Sequence, residues 1–180
     1  MLDKPTIKGI FVNSHIKALS SKKGEEGLRE LETRFGKSIN FKNSQDVLVS
    51  DEVKIIEICL DLSTDHPISD NERAFEAGKL HFRNFSTTPL AKIIFSVFRT
   101  NFKTMMLNSD KIAGHVFQGV KFSTEELSEN AVKVTMKNND YPLDHFKGLF
   151  SEWMEFAGLA GKVDAAEAEN GVYEYEMSWK

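Results

Sequence analysis

At 180 residues the chain is long enough to bury a real core, and 41% hydrophobic residues with 14 phenylalanines, set against 28% charged residues, describe a packed globule with an ordinary polar surface. A formal net charge of −4 gives no general attraction to phosphate backbones, so a nucleic-acid partner is not expected. The single cysteine, Cys59, excludes an internal disulfide and any all-cysteine zinc or iron–sulfur site. The first residues lack the basic start and apolar run of a secretory signal, and no stretch approaches the roughly 20 apolar residues of a membrane span, so a cytoplasmic location is expected.

Ile7, Lys8, Gly9, Ile10, Phe11 and Val12 form a short apolar run that suits either a strand or a buried helical lead-in, a choice periodicity does not decide. The basic stretch from Lys17 to Lys23 is followed at once by Glu25 and Glu26 and reads as a solvated loop or helix end. Leu28, Leu31 and Phe35 recur at three- and four-residue spacing and stop at Gly36, the pattern of an amphipathic helix with a glycine C-terminus. Val53, Ile56, Cys59 and Leu60 repeat it over residues 51–62, with Ser50 or Asp51 as the cap. Cys59 then falls on the buried stripe, a small hydrophobe with no basic neighbour in sequence to activate it.

A new unit begins after His66, Pro67 and Ile68. Ser69 and Glu72 supply a capping box, and Phe75, Gly78, Phe82 and Phe85 put three phenyl rings and a glycine on one helix face. Thr88 and Pro89 restart the chain as cap and first helical position, and Leu90, Ile93, Ile94, Val97 and Phe98 complete an apolar face. Phe102, Met105, Met106, Ile112, Ala113 and Val116 predict a third helix. After Gly119 the period drops from about 3.6 to 2: Val120 and Phe122, then Val132, Val134 and Met136, form a hairpin turning near Ser128–Asn130. Phe146, Leu149, Phe150, Trp153 and Phe156 give a helix over 141–158 an aromatic stripe, and a last hairpin turns at Asn170–Gly171 with Tyr173, Tyr175, Met177 and Trp179 on one face. The class is α+β: N-terminal helices, then a strand–strand–helix–strand–strand unit forming a four-stranded antiparallel sheet with the helix on its apolar face. One domain over 1–180 is expected, with 1–68 its helical N-terminal part and 69–180 the helices-plus-sheet unit.

The residues from Asn71 to Phe75 and from Phe85 to Leu90, the later Tyr141–Pro142 to Gly148, the closing Tyr-x-Met-x-Trp strand and the opening Ile7 to Phe11 resemble an uncharacterised family greatly expanded in myxobacteria. Its pattern looks like the wider group of vinyl-reductase-type ligand domains, haem nitric-oxide/oxygen-binding domains and transport-particle subunits. The resemblance implies a bacterial protein with a pocket between helices and sheet, for haem, a small aromatic or tetrapyrrole ligand, or a fatty-acyl chain. The chain departs from the haem branch. Where that branch carries a Tyr-x-Ser-x-Arg anchor, this sequence runs from Val134 to Asp140, with Lys137 as the one cation, and the stretch 102–108 has no axial histidine, His115 being the nearest.

No nucleophile elbow, phosphate loop or dinucleotide fingerprint is present, and the carboxylate pairs Glu25–Glu26 and Glu125–Glu126 lie in polar stretches that would not raise a general acid's pKa. His15, His66, His81, His115 and His145 are isolated in sequence and none has a spaced partner that marks a metal site. The expectation is therefore a non-enzymatic sensory domain without catalytic residues, metal ligands or a resident cofactor, haem being disfavoured. It would hold a hydrophobic small molecule or acyl chain and signal to a protein partner. Phe75, Phe82, Phe95, Phe98, Phe102, Met105, Met106, Phe146, Phe150 and Trp153 are the expected pocket lining, although ordinary core packing uses the same residues. The alternatives are a scaffold or assembly subunit that dimerises through an exposed apolar helix face and binds no small ligand, and a haem-based gas sensor.

Overall fold

The apolar run near the N-terminus serves both of its expected roles: Thr6–Lys8 is a strand (β1) and Gly9 opens a helix (α1, Gly9–Phe35). The computed structural model describes residues 4–97, 101–169 and 171–180. The helix ends as the spacing predicts, with Gly36 at φ 77° donating its N–H to the Glu32 carbonyl. Gly24, at φ 61° and ψ −155°, is a non-helical kink that joins two helical stretches within α1, and the lysines from Lys17 to Lys23 close the first of them, a helix end as the sequence allows. A strand (β2, Asp46–Leu48) leads into α2 (Val49–Ser63), which begins at Leu48 without a side-chain cap from Ser50 or Asp51.

Helix α3 (Asp70–Ser86) has Ser69 as N-cap, its hydroxyl donating to Glu72, and α4 (Pro89–Val97) has the Thr88 hydroxyl accepting from the Ala91 N–H. The expected third helix is two, α5 (Phe102–Leu107) and α6 (Ser109–Val116). Asn108 divides them: its side chain donates to the Thr104 carbonyl while its backbone N–H closes the last turn of α5. Strands β3 (Phe117–Gln118), β4 (Lys121–Ser128) and β5 (Ala131–Lys137) precede α7 (Leu143–Phe156), and β6 (Gly161–Glu169) and β7 (Val172–Trp179) close the chain. Of the last turn, Gly171 has the left-handed φ of 75° and Asn170 lies outside the described residues.

The fold is α+β, with a four-stranded antiparallel sheet in the order β4-β5-β7-β6, as the two hairpins predict. A second, three-stranded sheet in the order β2-β1-β3 was not legible in the sequence, its strands being two or three residues long. On the larger sheet Val132 and Val134 face the same way as Tyr175 and Met177 across the β5–β7 register, and Phe146, Phe150, Trp153 and Met154 of α7 pack on that face. The other side of α7 lies against α3 at two glycines. A Cβ on Gly78 would stand 1.8 Å from the His145 carbonyl oxygen, and one on Gly148 2.0 Å from that of Phe75, so only glycine allows these backbones to touch. A second core cluster, containing Ile7, Phe11, Leu31, Ile55 and Cys59, joins α1, α2 and β1. Among the described residues no helix is long and apolar enough to cross a membrane.

Candidate functional site

Four helices converge on a polar cluster inside the apolar core. On α1 the buried stripe Phe11, Val12, His15 and Leu19 carries His15 inward, and on α2 Glu52 shares its buried face with Ile55, Ile56 and Cys59. His81 and Asn84, three residues apart on α3, face the same side, and Tyr141 and His145 come from the entry and first turn of α7. Each of the six is at most 7% exposed, and Glu52 and His145 are at 0%.

The contacts run as a chain. Asn84 Nδ2 lies 3.0 Å from His15 Nδ1 and donates to it, which leaves His15 Nε2 as the donor to Glu52 Oε1 at 2.8 Å. His81 Nδ1 is 3.6 Å from the same carboxylate oxygen and 3.0 Å from His145 Nε2. Glu52 Oε2, the Tyr141 hydroxyl and His145 Nδ1 are buried with no hydrogen-bond partner among the described residues. Burial works to raise the Glu52 carboxyl, but the attraction of His81, the hydrogen bond from His15 and the attractions of His15 and His145 outweigh it and hold the group down to about 2. For His81 desolvation exceeds the pull of Glu52 and lowers the imidazole to about 4, and desolvation followed by repulsion from His81 lowers His145 to about 3. Desolvation, then the charge of Glu52, keeps the Tyr141 hydroxyl protonated well beyond its ordinary range. At neutral pH the core therefore holds a carboxylate beside two neutral imidazoles, and no lysine or arginine among the described residues pairs with it.

His81 also reaches the wall of an apolar cavity of about 60 Å³ between α3, α6, α7 and the start of the large sheet. Phe85, Ile112, Ala113, Phe122, Phe146, Phe150 and Trp153 line it together with Ser109. The Ser109 hydroxyl and Trp153 Nε1 are buried without partners among the described residues, so an otherwise greasy space has two unused hydrogen-bonding groups on its walls.

Of the expected pocket residues, Phe146, Phe150 and Trp153 meet at this cavity. Phe82 packs behind it, its ring 5.3 Å from that of Trp153, and Met106 is fully buried in the same core. Phe95, Phe102 and Met105 instead line a separate open groove with Trp179. Phe75 is half-buried with the Lys79 ammonium 5.7 Å over its ring, and Phe98 lies outside the described residues. The histidines that are isolated in sequence are not isolated in space: His15, His81 and His145 meet across 64 or more residues, while His66 and His115 are exposed. A usable signal existed in Glu52, a charged residue in the buried register of an apolar helix.

Residues 3–180 match the family of proteins of unknown function designated DUF2378. The chain belongs to this family. No curated relative matches it. Among solved structures, the DUF2378 chain is similar to an oxygen-binding H-NOX domain related to soluble guanylate cyclases, at TM-score 0.66 and 16% identity over 96% of this chain and 95% of that one. It is also similar to a variant of the T. tengcongensis H-NOX domain (TM-score 0.58, 18% identity, 96% and 97% covered) and to the Fe(II) unliganded H-NOX protein from K. algicida (0.58, 15%, 96% and 96%). At these identities the likeness is one of fold.

The DUF2378 chain does not offer the residues a haem would need. Cofactor pockets run to roughly 300–1,000 Å³, whereas here Phe122, Phe146, Phe150 and Trp153 fill the helix–sheet space down to about 60 Å³. Among the described residues no arginine or lysine lines that cavity for propionates, and His115 is exposed. The residues do not fit the group.

Proposed function

We propose that this chain is a single, non-enzymatic sensory domain that holds a small hydrophobic molecule between α3, α6, α7 and the sheet and reports its presence to a protein partner. The observation that carries this reading is the cavity itself, apolar on nearly every wall yet furnished with the unpartnered Ser109 hydroxyl and Trp153 indole N–H. Such a combination of apolar lining and a few oriented polar groups is how small-ligand sites obtain both affinity and orientation. At about 60 Å³ the space is smaller than the roughly 150 Å³ that admits benzene in an engineered core, so a ligand of a few heavy atoms enters as the chain stands. An acyl chain requires Phe122 and Phe146 to part. The ligand would stabilise one packing of α6 on α7 and the sheet, a shift in population that a partner can read.

Native mass spectrometry of purified protein, followed by thermal-shift titration with small apolar alcohols and ketones, tests the reading. A bound small molecule or a saturable rise in melting temperature is expected. Ala113→Phe, which fills the cavity from α6, should abolish that rise while keeping the circular dichroism of the parent. No rise with any such ligand, or an equal rise in the filled variant, counts against it.

A further inference from the structure

The polar cluster lies next to the cavity but plays no necessary part in holding an apolar ligand, and its composition points elsewhere. His15, Glu52 and His81 each present one ligand atom, and the three atoms lie within 4.8 Å of one another. Two imidazoles and a carboxylate are the donor set of a divalent transition metal, zinc above all, which takes nitrogen at about 2.0–2.1 Å and carboxylate oxygen at about 2.0–2.2 Å. We propose that His15, Glu52 and His81 form a buried structural site for a divalent transition-metal ion of the zinc type, which ties α1, α2 and α3 together through the core. His145 Nε2, 3.0 Å from His81 Nδ1, lies beside this set from α7 without belonging to the group of three.

Three observations support an ion over a purely hydrogen-bonded network. Glu52 is fully buried, and its second oxygen has no partner among the described residues. A carboxylate inside a core is ordinarily paired with a cation or coordinated to a metal, and among the described residues the neighbouring side chains offer imidazoles, an amide and a phenol, no ammonium or guanidinium. The surrounding groups also suit a metal's outer shell. Coordination through His15 Nε2 places the remaining proton on Nδ1, and Asn84, with its amide turned over, accepts it through Oδ1. The Tyr141 hydroxyl, which forms no close hydrogen bond among the described residues, lies near enough to Glu52 to feel its charge and to donate to the carboxylate once that ligates. Closure fits a structural site, since every candidate ligand is at most 3% exposed and no face is left for substrate. This inference stands whether or not the apolar cavity binds a ligand.

The test uses the full chain freed of any affinity tag and refolded with Zn²⁺ or Co²⁺ alone, so that burial does not bar entry. Elemental analysis after exhaustive dialysis should give one ion per chain, and the Co²⁺ form should show the intense visible bands of low-coordinate cobalt. Glu52→Gln and His81→Gln, which remove direct ligands, should each weaken Zn²⁺ binding by more than the roughly 10–100-fold that loss of an outer-shell partner costs, while His66→Gln, at an exposed histidine, leaves it unchanged. Should a core variant fail to fold, long-range ¹H–¹⁵N spectra of the wild type decide: Zn²⁺ should move the ring nitrogens of His15 and His81. Less than stoichiometric metal, full binding in Glu52→Gln, or shifts confined to His66 and His115 would overturn the site.

Discussion

Cys59 is 2% exposed on the inner face of α2, with its sulfur 4.0 Å from the His15 carbonyl oxygen and the Glu52 carboxylate nearby. Desolvation first, and then the charge of Glu52, push its thiol up to about 12 from an ordinary 9.0. A group whose pKa is raised on folding keeps its full contribution below the unfolded value, and loses it as pH climbs toward the folded one, because the unfolded chain ionises first. Stability should therefore fall between pH 9 and 12, with Cys59 supplying at most about 1.4 kcal/mol per unit. Tyr141 and Tyr175 are raised as well and act in the same direction, so the thiol's share is read as the difference between wild type and Cys59→Ala in urea melts at successive pH values. In the native state Cys59 should also react with a thiol reagent at pH 8 only as fast as the chain opens; a stoichiometric fast phase without denaturant would contradict this burial. That Cys59 is buried was legible in the sequence, from its place on an apolar stripe. The role of its neighbour Glu52 was not legible, since a helix pattern shows that a charge is in the wrong register without showing which residues from other helices meet it.

Among the elements, α3 and α7 carry the closest backbone contact, and it rests on two glycines at different points of the sequence. Gly78→Ala drives a Cβ to 1.8 Å from the His145 carbonyl oxygen, a backbone atom that cannot turn aside, so the helices must separate. Overpacking of this kind costs about 1–3 kcal/mol or more, and separation would also disturb His81 and His145, which face each other across the same crossing. Gly114 in α6 is the control: nothing lies within 4 Å of its Cβ position, and its φ is not in the positive range. Replacing that helical glycine by alanine should add about 0.5–1 kcal/mol. Opposite signs in chemical denaturation are expected, and a neutral Gly78→Ala would mean that the helices do not touch as described. Sequence spacing put Gly78 on the same buried face as Phe75, Phe82 and Phe85, but it could not say that Gly148 answers it from α7. Likewise the continuous apolar face from Phe102 to Val116 gave no sign that Asn108 would cut it, because helix periodicity is blind to a side chain that bonds its own backbone.

For the molecule as a whole, the large sheet was legible because its strands are eight residues or so and alternate cleanly, whereas β1, β2 and β3 are too short for any alternation to register. Yet β1 is the middle strand of the small sheet, with Ile7 opposite Val47 on one side and Phe117 on the other, so it joins the start of α1 to the end of α6. Ile7 is 0% exposed. If the chain is one domain, a defect there must be felt throughout. Ile7→Ala should cost about 2–5 kcal/mol, as truncation of a buried isoleucine does. Both tryptophans, Trp153 and Trp179, lie in α7 and β7, so their fluorescence reports the part of the chain that carries the large sheet, while far-ultraviolet circular dichroism reports all the helices. In a cooperative unit the two signals lose the same stability and keep coincident midpoints. A variant whose circular dichroism melts early while its tryptophan fluorescence holds at the wild-type midpoint would instead divide the chain into an N-terminal helical part and a separately stable sheet. The cluster of His15, Glu52 and His81 would then bridge two folding units, and metal should restore their common midpoint.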